Sequence, residues 1–124
     1  MLGFDIVLRA RKLLDEHGQD AISKAADNAR ACAAGAPTVY VNDNFDHWEL
    51  SFRDLIEQVR MSGGAGAALL QHIAPEPGDH FILKPKHSGF YATSLQVLLA
   101  RWHTQRLILS GIAGNICVLF TAND

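Results

Sequence analysis

Three short β-forming runs, Thr38 to Val41, His80 to Lys84 and Arg106 to Ser110, are separated from one another by stretches with helical spacing. This alternation constrains the chain more than any other feature. A strand that returns parallel to its predecessor needs a crossover, and the crossover packs as a helix. The pattern therefore predicts an α/β fold, a parallel sheet with helices on both faces. Thr38-Val39-Tyr40-Val41 mixes β-branched and aromatic residues with no polar alternation, as in a strand covered on both faces. Asn42-Asp43-Asn44 supplies turn chemistry at its carboxyl end. Ligands of such sheets bind beyond the carboxyl ends of the strands. Here those ends carry Asn42 and Asp43, Lys84, and the turn from Gly111 to Cys117.

The intervening segments read as follows. Asp20 to Ala34 has Ile22, Ala25, Ala26, Ala29 and Cys32/Ala33 at three- and four-residue spacing, the mark of a helix. Gly35 and Pro37 then stop it. Ser51 is placed to cap a helix from Phe52 to about Arg60. Met61 to Gly66 reads as a flexible connection into a short helix, Ala67 to His72. Pro75 to Asp79 forms a tight turn before the second strand. Ser94 is placed to cap Leu95 to Trp102, and a further helix starts at about Asn115. At 124 residues this is one domain, 1–124, with enough chain to bury a core.

Composition excludes several classes of function. The formal net charge is −2, and no basic cluster exceeds Arg9, Arg11 and Lys12, so neither nucleic acid nor an anionic membrane is an expected partner. The longest apolar run, Ile116 to Ala122, is too short to span a bilayer, and Met1 is not followed by a secretory signal pattern. The two cysteines, Cys32 and Cys117, form no CxxC, which argues against a disulfide framework or a zinc knuckle. A reduced, cytoplasmic protein is expected.

Two strand-end residues carry chemical interest. Cys117 falls at the first turn of the last helix. There the helix dipole favours a thiolate, and free backbone N–H groups can hold an oxyanion. The competing reading is a small buried filler, since free cysteine is among the most buried residues. Lys84 ends the apolar run Phe81-Ile82-Leu83, from where its ammonium can hold a thiolate or a substrate oxygen; it can equally be a surface cation that closes a strand. Lys86 could serve either role. His87 is a candidate pocket donor or a solvated loop histidine, and Cys32 reads as core.

Taken together, Leu83-Lys84-Pro85-Lys86-His87-Ser88-Gly89-Phe90, then Gly111-Ile112-Ala113-Gly114-Asn115-Ile116-Cys117-Val118 and Thr121-Ala122, resemble the isochorismatase-like cysteine hydrolases. Val39 to Phe45 is similar to the second-strand segment of one branch of that family. The resemblance runs over nearly the whole chain from about residue 20. It implies a Rossmann-like, three-layer αβα fold and an Asp–Lys–Cys triad. By motif position Cys117 is the nucleophile and Lys84 the triad lysine. A cis peptide at Ile112-Ala113 would aim the Ala113 and Cys117 amides at the oxyanion. Asn42, Trp48, Phe52, His87 and Tyr91 are candidate substrate-binding residues, with core or subunit contacts the alternative for Trp48, Phe52 and Tyr91. The family also implies a homo-oligomer and a small-molecule substrate.

The departures from the family pattern are equally specific. The triad Asp normally ends a first strand, and by the family's spacing Met1 falls at about the residue after it. The first strand and the C-terminal elements are thus expected to be missing, leaving the fold incomplete. Asp5 is the nearby substitute for the acid, and Gly3 to Leu8, or a second subunit, the substitute for the strand. The nicotinamidase metal site needs an Asp-x-His, whereas this chain reads Asp43-Asn44-Phe45 with His47 two residues further on, so neither a metal nor another cofactor is expected. Cys117 favours hydrolysis of a small amide, carbamoyl or imide C–N bond over isochorismate ether cleavage. The alternative is a catalytically impaired remnant, or a binding or assembly protein, lacking the triad Asp.

Overall fold

The computed structural model describes residues 6–8, 37–109, 111 and 114–124. In chain order these form β1 (Ile6–Leu8), β2 (Val39–Asp43), α1 (Phe52–Ser62), α2 (Gly64–Ile73), β3 (His80–Lys84), α3 (Leu95–Arg101), a π-helical turn (Gly114–Val118) and α4 (Leu119–Asn123). The predicted helix over 20–34, with Cys32, lies outside the described residues.

β2 and β3 pair in parallel, with Val39 beside His80 and Asp43 beside Lys84. One further bond lengthens the ladder at each end: His80 N–H donates to the Thr38 carbonyl (2.9 Å) and Asn44 N–H to the Lys84 carbonyl (2.9 Å). The other edge of β2 is taken by β1, which runs antiparallel with Ile6 opposite Val41 and Leu8 opposite Val39. The sheet order is β1-β2-β3. Part of the Gly3 to Leu8 segment thus joins the sheet, in the reverse direction to β2.

Strand alternation sorts the core into two clusters. On one face Tyr40 and Leu83 meet Phe52, Ile56 and Val59 of α1 and Leu70 and Ile73 of α2. The Phe52 ring lies 4.4 Å from that of Phe81, and the buried Tyr40 hydroxyl donates to the Ile73 carbonyl (3.1 Å). On the other face Val39, Val41 and Ile82 pack with Leu95 of α3 and with Cys117, bordered by Phe90, Leu98, Leu99, Trp102 and Leu109. β2 is therefore covered on both faces, as its uninterrupted apolar run predicts.

Helix ends follow local chemistry. Ser51 caps α1 through a reciprocal box: its hydroxyl accepts from Asp54 N–H (3.3 Å), and the Asp54 carboxylate accepts from Ser51 N–H (2.9 Å). The Ser51 bonds, side chain first and backbone second, hold the Asp54 carboxyl below its ordinary value. The expected connection over 61–66 is a corner instead. α1 runs on to Ser62, and Gly63 (φ 67°) and Gly64 (φ 71°) turn the chain directly into α2, using a backbone region open mainly to glycine. The cap of α3 is also corrected. Ser94 occupies the cap position without a side-chain bond, and the Thr93 hydroxyl accepts the Leu95 N–H instead (3.3 Å).

Within the expected Arg106 to Ser110 strand, residues 106–109 join no ladder, and Leu107 and Ile108 are exposed. A β-forming run becomes a strand only where a neighbour offers free N–H and C=O groups. Both edges of β2 are already occupied, by β1 and β3, so residues 106–109 do not pair with β2.

Candidate active site

The site lies at the carboxyl ends of β2 and β3, on the face that carries Val39, Val41 and Ile82. Two residues beyond Val41 and Ile82, strand alternation returns the same face to Asp43 and Lys84, which the register places side by side. Lys84 is fully buried, which disposes of the surface-cation reading. Its Nζ donates to Asp43 Oδ2 (3.2 Å) and to Cys117 Sγ (3.5 Å). An ammonium so deep in the fold needs anionic or strongly accepting neighbours. A carboxylate on one side and a sulfur on the other supply them.

Asp43 is held from both oxygens. Oδ1 accepts the Phe45 N–H (2.9 Å) in an Asx turn, and Oδ2 faces Lys84. Asn44 repeats the device toward Asp46 N–H (3.1 Å). Phe45 and Asp46 both have positive φ (50° and 63°), a conformation unusual outside glycine that these side-chain bonds help to secure. The sequence reading put Asp43 in the turn at a strand end and did not single it out beside Lys84. The signal was present, because parallel strands in register bring the two charged residues that end them together.

Cys117 is buried in the π-helical turn. One hydroxyl ties this turn to the loop after β3: Thr121 Oγ1 donates to the Cys117 carbonyl (2.7 Å) and accepts the Gly89 N–H (2.8 Å). The approach is close enough that a Cβ on Gly89 would lie 3.3 Å from Leu95 Cδ2 and 3.4 Å from the Thr121 side chain. Ser88, also buried, accepts the Phe90 N–H through its hydroxyl (3.1 Å). The Ser-Gly-Phe loop and the Thr of the C-terminal motif are thus joined at the turn that carries Cys117.

The structure brings Lys84 and Cys117 together and distributes the other candidates around them. Ala113 and Ile112, and Asp5, lie outside the described residues. Asn42 is buried, one residue along β2 from Asp43 and so on the opposite face. Phe52 is in the aromatic core of that opposite face, away from Cys117. Trp48 is exposed in the loop after β2. His87 is exposed with its ring 5.5 Å from Phe120, and Tyr91 is exposed with its N–H on the Ser88 carbonyl (3.3 Å). Tyr91 also borders an open hollow of about 380 Å³ lined by Phe90, Gln96 and Asp124, none of which bears the site's chemistry. His47 is exposed beside Glu49 (3.4 Å). Among the described residues no group of three His, Cys, Asp or Glu side chains is arranged to hold a metal ion, and no helix is long and apolar enough to cross a membrane.

At the ends of a helix-flanked sheet the chain thus sets a buried lysine beside a cysteine. The Isochorismatase domain family matches residues 5–124, and this chain belongs to the isochorismatase family. It is 42% identical over 88 residues to the uncharacterized isochorismatase family protein YaaI of Bacillus subtilis (strain 168), covering 71% of this chain and 48% of that protein. It is 30% identical over 125 residues to the ureidoacrylate amidohydrolase RutB of Azorhizobium caulinodans, covering 84% and 55%. Among solved structures, the N-carbamoylsarcosine amidase of Thermoplasma acidophilum is similar with a TM-score of 0.52 and 28% identity, over 88% of this chain and 67% of that one. The chain spans about half the length of the curated relatives it matches.

Proposed function

We propose that this chain is a cysteine amidohydrolase that opens the C–N bond of a small amide, carbamoyl or imide substrate. The observation that carries the reading is the 3.5 Å approach of Lys84 Nζ to Cys117 Sγ at a buried strand end. A cation there favours the thiolate, the nucleophilic form of cysteine. The thiolate adds to the substrate carbonyl, forming the S–C bond as the π pair moves to oxygen. That oxygen is received by the Cys117 amide and, as the family resemblance implies, by the Ala113 amide. The amine leaves with a proton from the Lys84 ammonium, and water cleaves the resulting thioester, returning that proton to Lys84 and releasing the acid and the thiolate. The names of two relatives, ureidoacrylate amidohydrolase and N-carbamoylsarcosine amidase, favour a carbamoyl or ureido group within this class.

The test is alkylation of Cys117 by iodoacetamide as a function of pH, with mass mapping, in the wild type and in Lys84→Ala, alongside ammonia release from small carbamoyl amides. Expected are modification of Cys117 well below pH 8, about tenfold or more slower in Lys84→Ala, and turnover that Cys117→Ala abolishes. The second reading, a binding or assembly protein without chemistry, is favoured by the near-complete burial of Cys117 (5% exposed). It predicts slow modification, indifferent to Lys84, and no turnover.

A further inference from the structure

We infer that Lys86 selects the substrate by its charge, so that the compound opened at Cys117 carries a carboxylate close to its scissile C–N bond. The inference rests on the reading of Cys117 as the nucleophile and adds to it the class of substrate. Lys86 lies in the short loop that leaves β3, and both ends of that loop are fixed at the cysteine turn. At one end Lys84 Nζ reaches Cys117 Sγ (3.5 Å). At the other, the Gly89 N–H meets the Thr121 hydroxyl (2.8 Å), which itself donates to the Cys117 carbonyl (2.7 Å). Lys86 is two residues past the first anchor and three before the second. At about 3.3–3.6 Å per residue, its Cα lies within about 7 Å of that of Lys84 and about 11 Å of that of Gly89. The next residue narrows the placement further: the His87 ring is 5.5 Å from that of Phe120, which follows Cys117 by about one helical turn.

The loop therefore keeps an exposed ammonium at the rim of the site. Among the described residues no ion pair includes Lys86, whereas Arg60 on α1 is paired with Glu57 (3.0 Å). The neighbouring rim has the opposite sign. The loop after β2 begins at Asn44, whose N–H bonds the Lys84 carbonyl (2.9 Å), and it carries Asp46 and Glu49, the latter set against His47 (3.4 Å). Two loops of unlike charge thus leave one point of the sheet, and an entering anion is drawn to the β3 side and held off the β2 side. Lys84 does not duplicate this role. It is fully buried and ion-paired with Asp43 (3.2 Å), so it works at the floor of the site while Lys86 works at the rim. A lysine on a flexible stem is a point charge without a fixed geometry, which selects a carboxylate by its sign rather than by its shape.

Iodoacetate and iodoacetamide are nearly equal in size and alkylate sulfur by the same displacement, but only the first is an anion. The ratio of their rate constants at Cys117 therefore reads the potential at the rim with no substrate present. In the wild type that ratio, divided by the ratio for 2-mercaptoethanol, is expected to be about two- to tenfold above one at low ionic strength and to fall toward one in about 0.5 M salt. Lys86→Gln should lower the ratio by about two- to fivefold, and Lys86→Arg, which keeps the charge, should hold it. Loosening of the fold changes both rate constants alike and cancels in the ratio. A ratio indifferent to Lys86→Gln, or a wild-type ratio below that of 2-mercaptoethanol, overturns the inference. So does a sulfur that neither reagent reaches in the native protein, since a substrate anion could not reach it either. The kinetic arm compares N-carbamoylglycine with its neutral amide, N-carbamoylglycinamide. Lys86→Gln should raise KM for the acid about two- to fivefold more than for the amide, with kcat for the two moved alike; equal changes in KM overturn the inference. Charge selection at the sulfur in a protein with no turnover would sink the proposed hydrolysis and leave Lys86 as the selector of anionic ligands. Turnover in a protein whose rate ratio ignores Lys86 would do the reverse.

Discussion

The two faces of β2 and β3 are made from alternate residues of the same ten-residue ladder, yet they end differently. On the α1–α2 face Tyr40, Phe52 and Phe81 pack ring against ring, the buried hydroxyl of Tyr40 is satisfied by a helix-end carbonyl, and the last β2 residue there is the uncharged Asn42. On the α3–α4 face the apolar pairs stop at Val41 and Ile82, and the next position brings Asp43 and Lys84 against Cys117. The second face gives up apolar burial at its last rung for an ion pair with a buried lysine, which contributes little to net stability.

That contrast can be broken deliberately, and the largest expected effect is on the face without chemistry. Phe52→Ala should cost about 3–5 kcal/mol in stability, seen by denaturant unfolding, while the pH midpoint of Cys117 alkylation in the folded protein stays in place. A shift in that midpoint would mean the faces are not independent. The next effect is at the link on the active face. Thr121→Val removes the hydroxyl shared by the Gly89 N–H and the Cys117 carbonyl, leaving both without it. A loss of about 1–3 kcal/mol is expected, with faster hydrogen exchange at the Gly89 amide. Unchanged exchange there would show that Thr121 does not hold the loop to the cysteine turn.

The smallest effect sharpens the comparison from outside both faces. Ser51→Ala should destabilise α1 by about 1 kcal/mol without altering thiol reactivity. Asp54 gives the same cap a pH signature. Its carboxyl is held below 3.8 in the folded chain by Ser51, so its contribution is present above that pH and is lost as pH falls through the depressed value. Asp54→Asn should remove that part of the acid dependence, as read from unfolding midpoints between pH 2 and 6.

Much of this was legible in the residues because the signals are local. The buried β2 run, the His80–Lys84 strand and the Ser51 cap follow from side-chain type and spacing, and the structure has all three. Where the reading missed, a non-local fact decided. Residues 106–109 have the composition of a strand and yet join no ladder. Ser94 is the right residue type for a cap, but its neighbour Thr93 has the reach. Phe52 is plausible at a pocket until the register and the α1 approach put it beside Phe81.

By itself the sequence determined the periodicities, and with them which residues could share a strand face, where α1 and α3 begin, and that a lysine at a strand end and a later cysteine follow in a family-like order. Only the tertiary structure decided that Lys84 lies between Asp43 and Cys117, and that a carboxylate from β2 stands beside it. A period-2 pattern fixes the face on which a side chain lies, but the choice of neighbouring strand and its register is made by hydrogen bonds between segments far apart in the chain. The meeting of acid, cation and thiol is a property of that pairing.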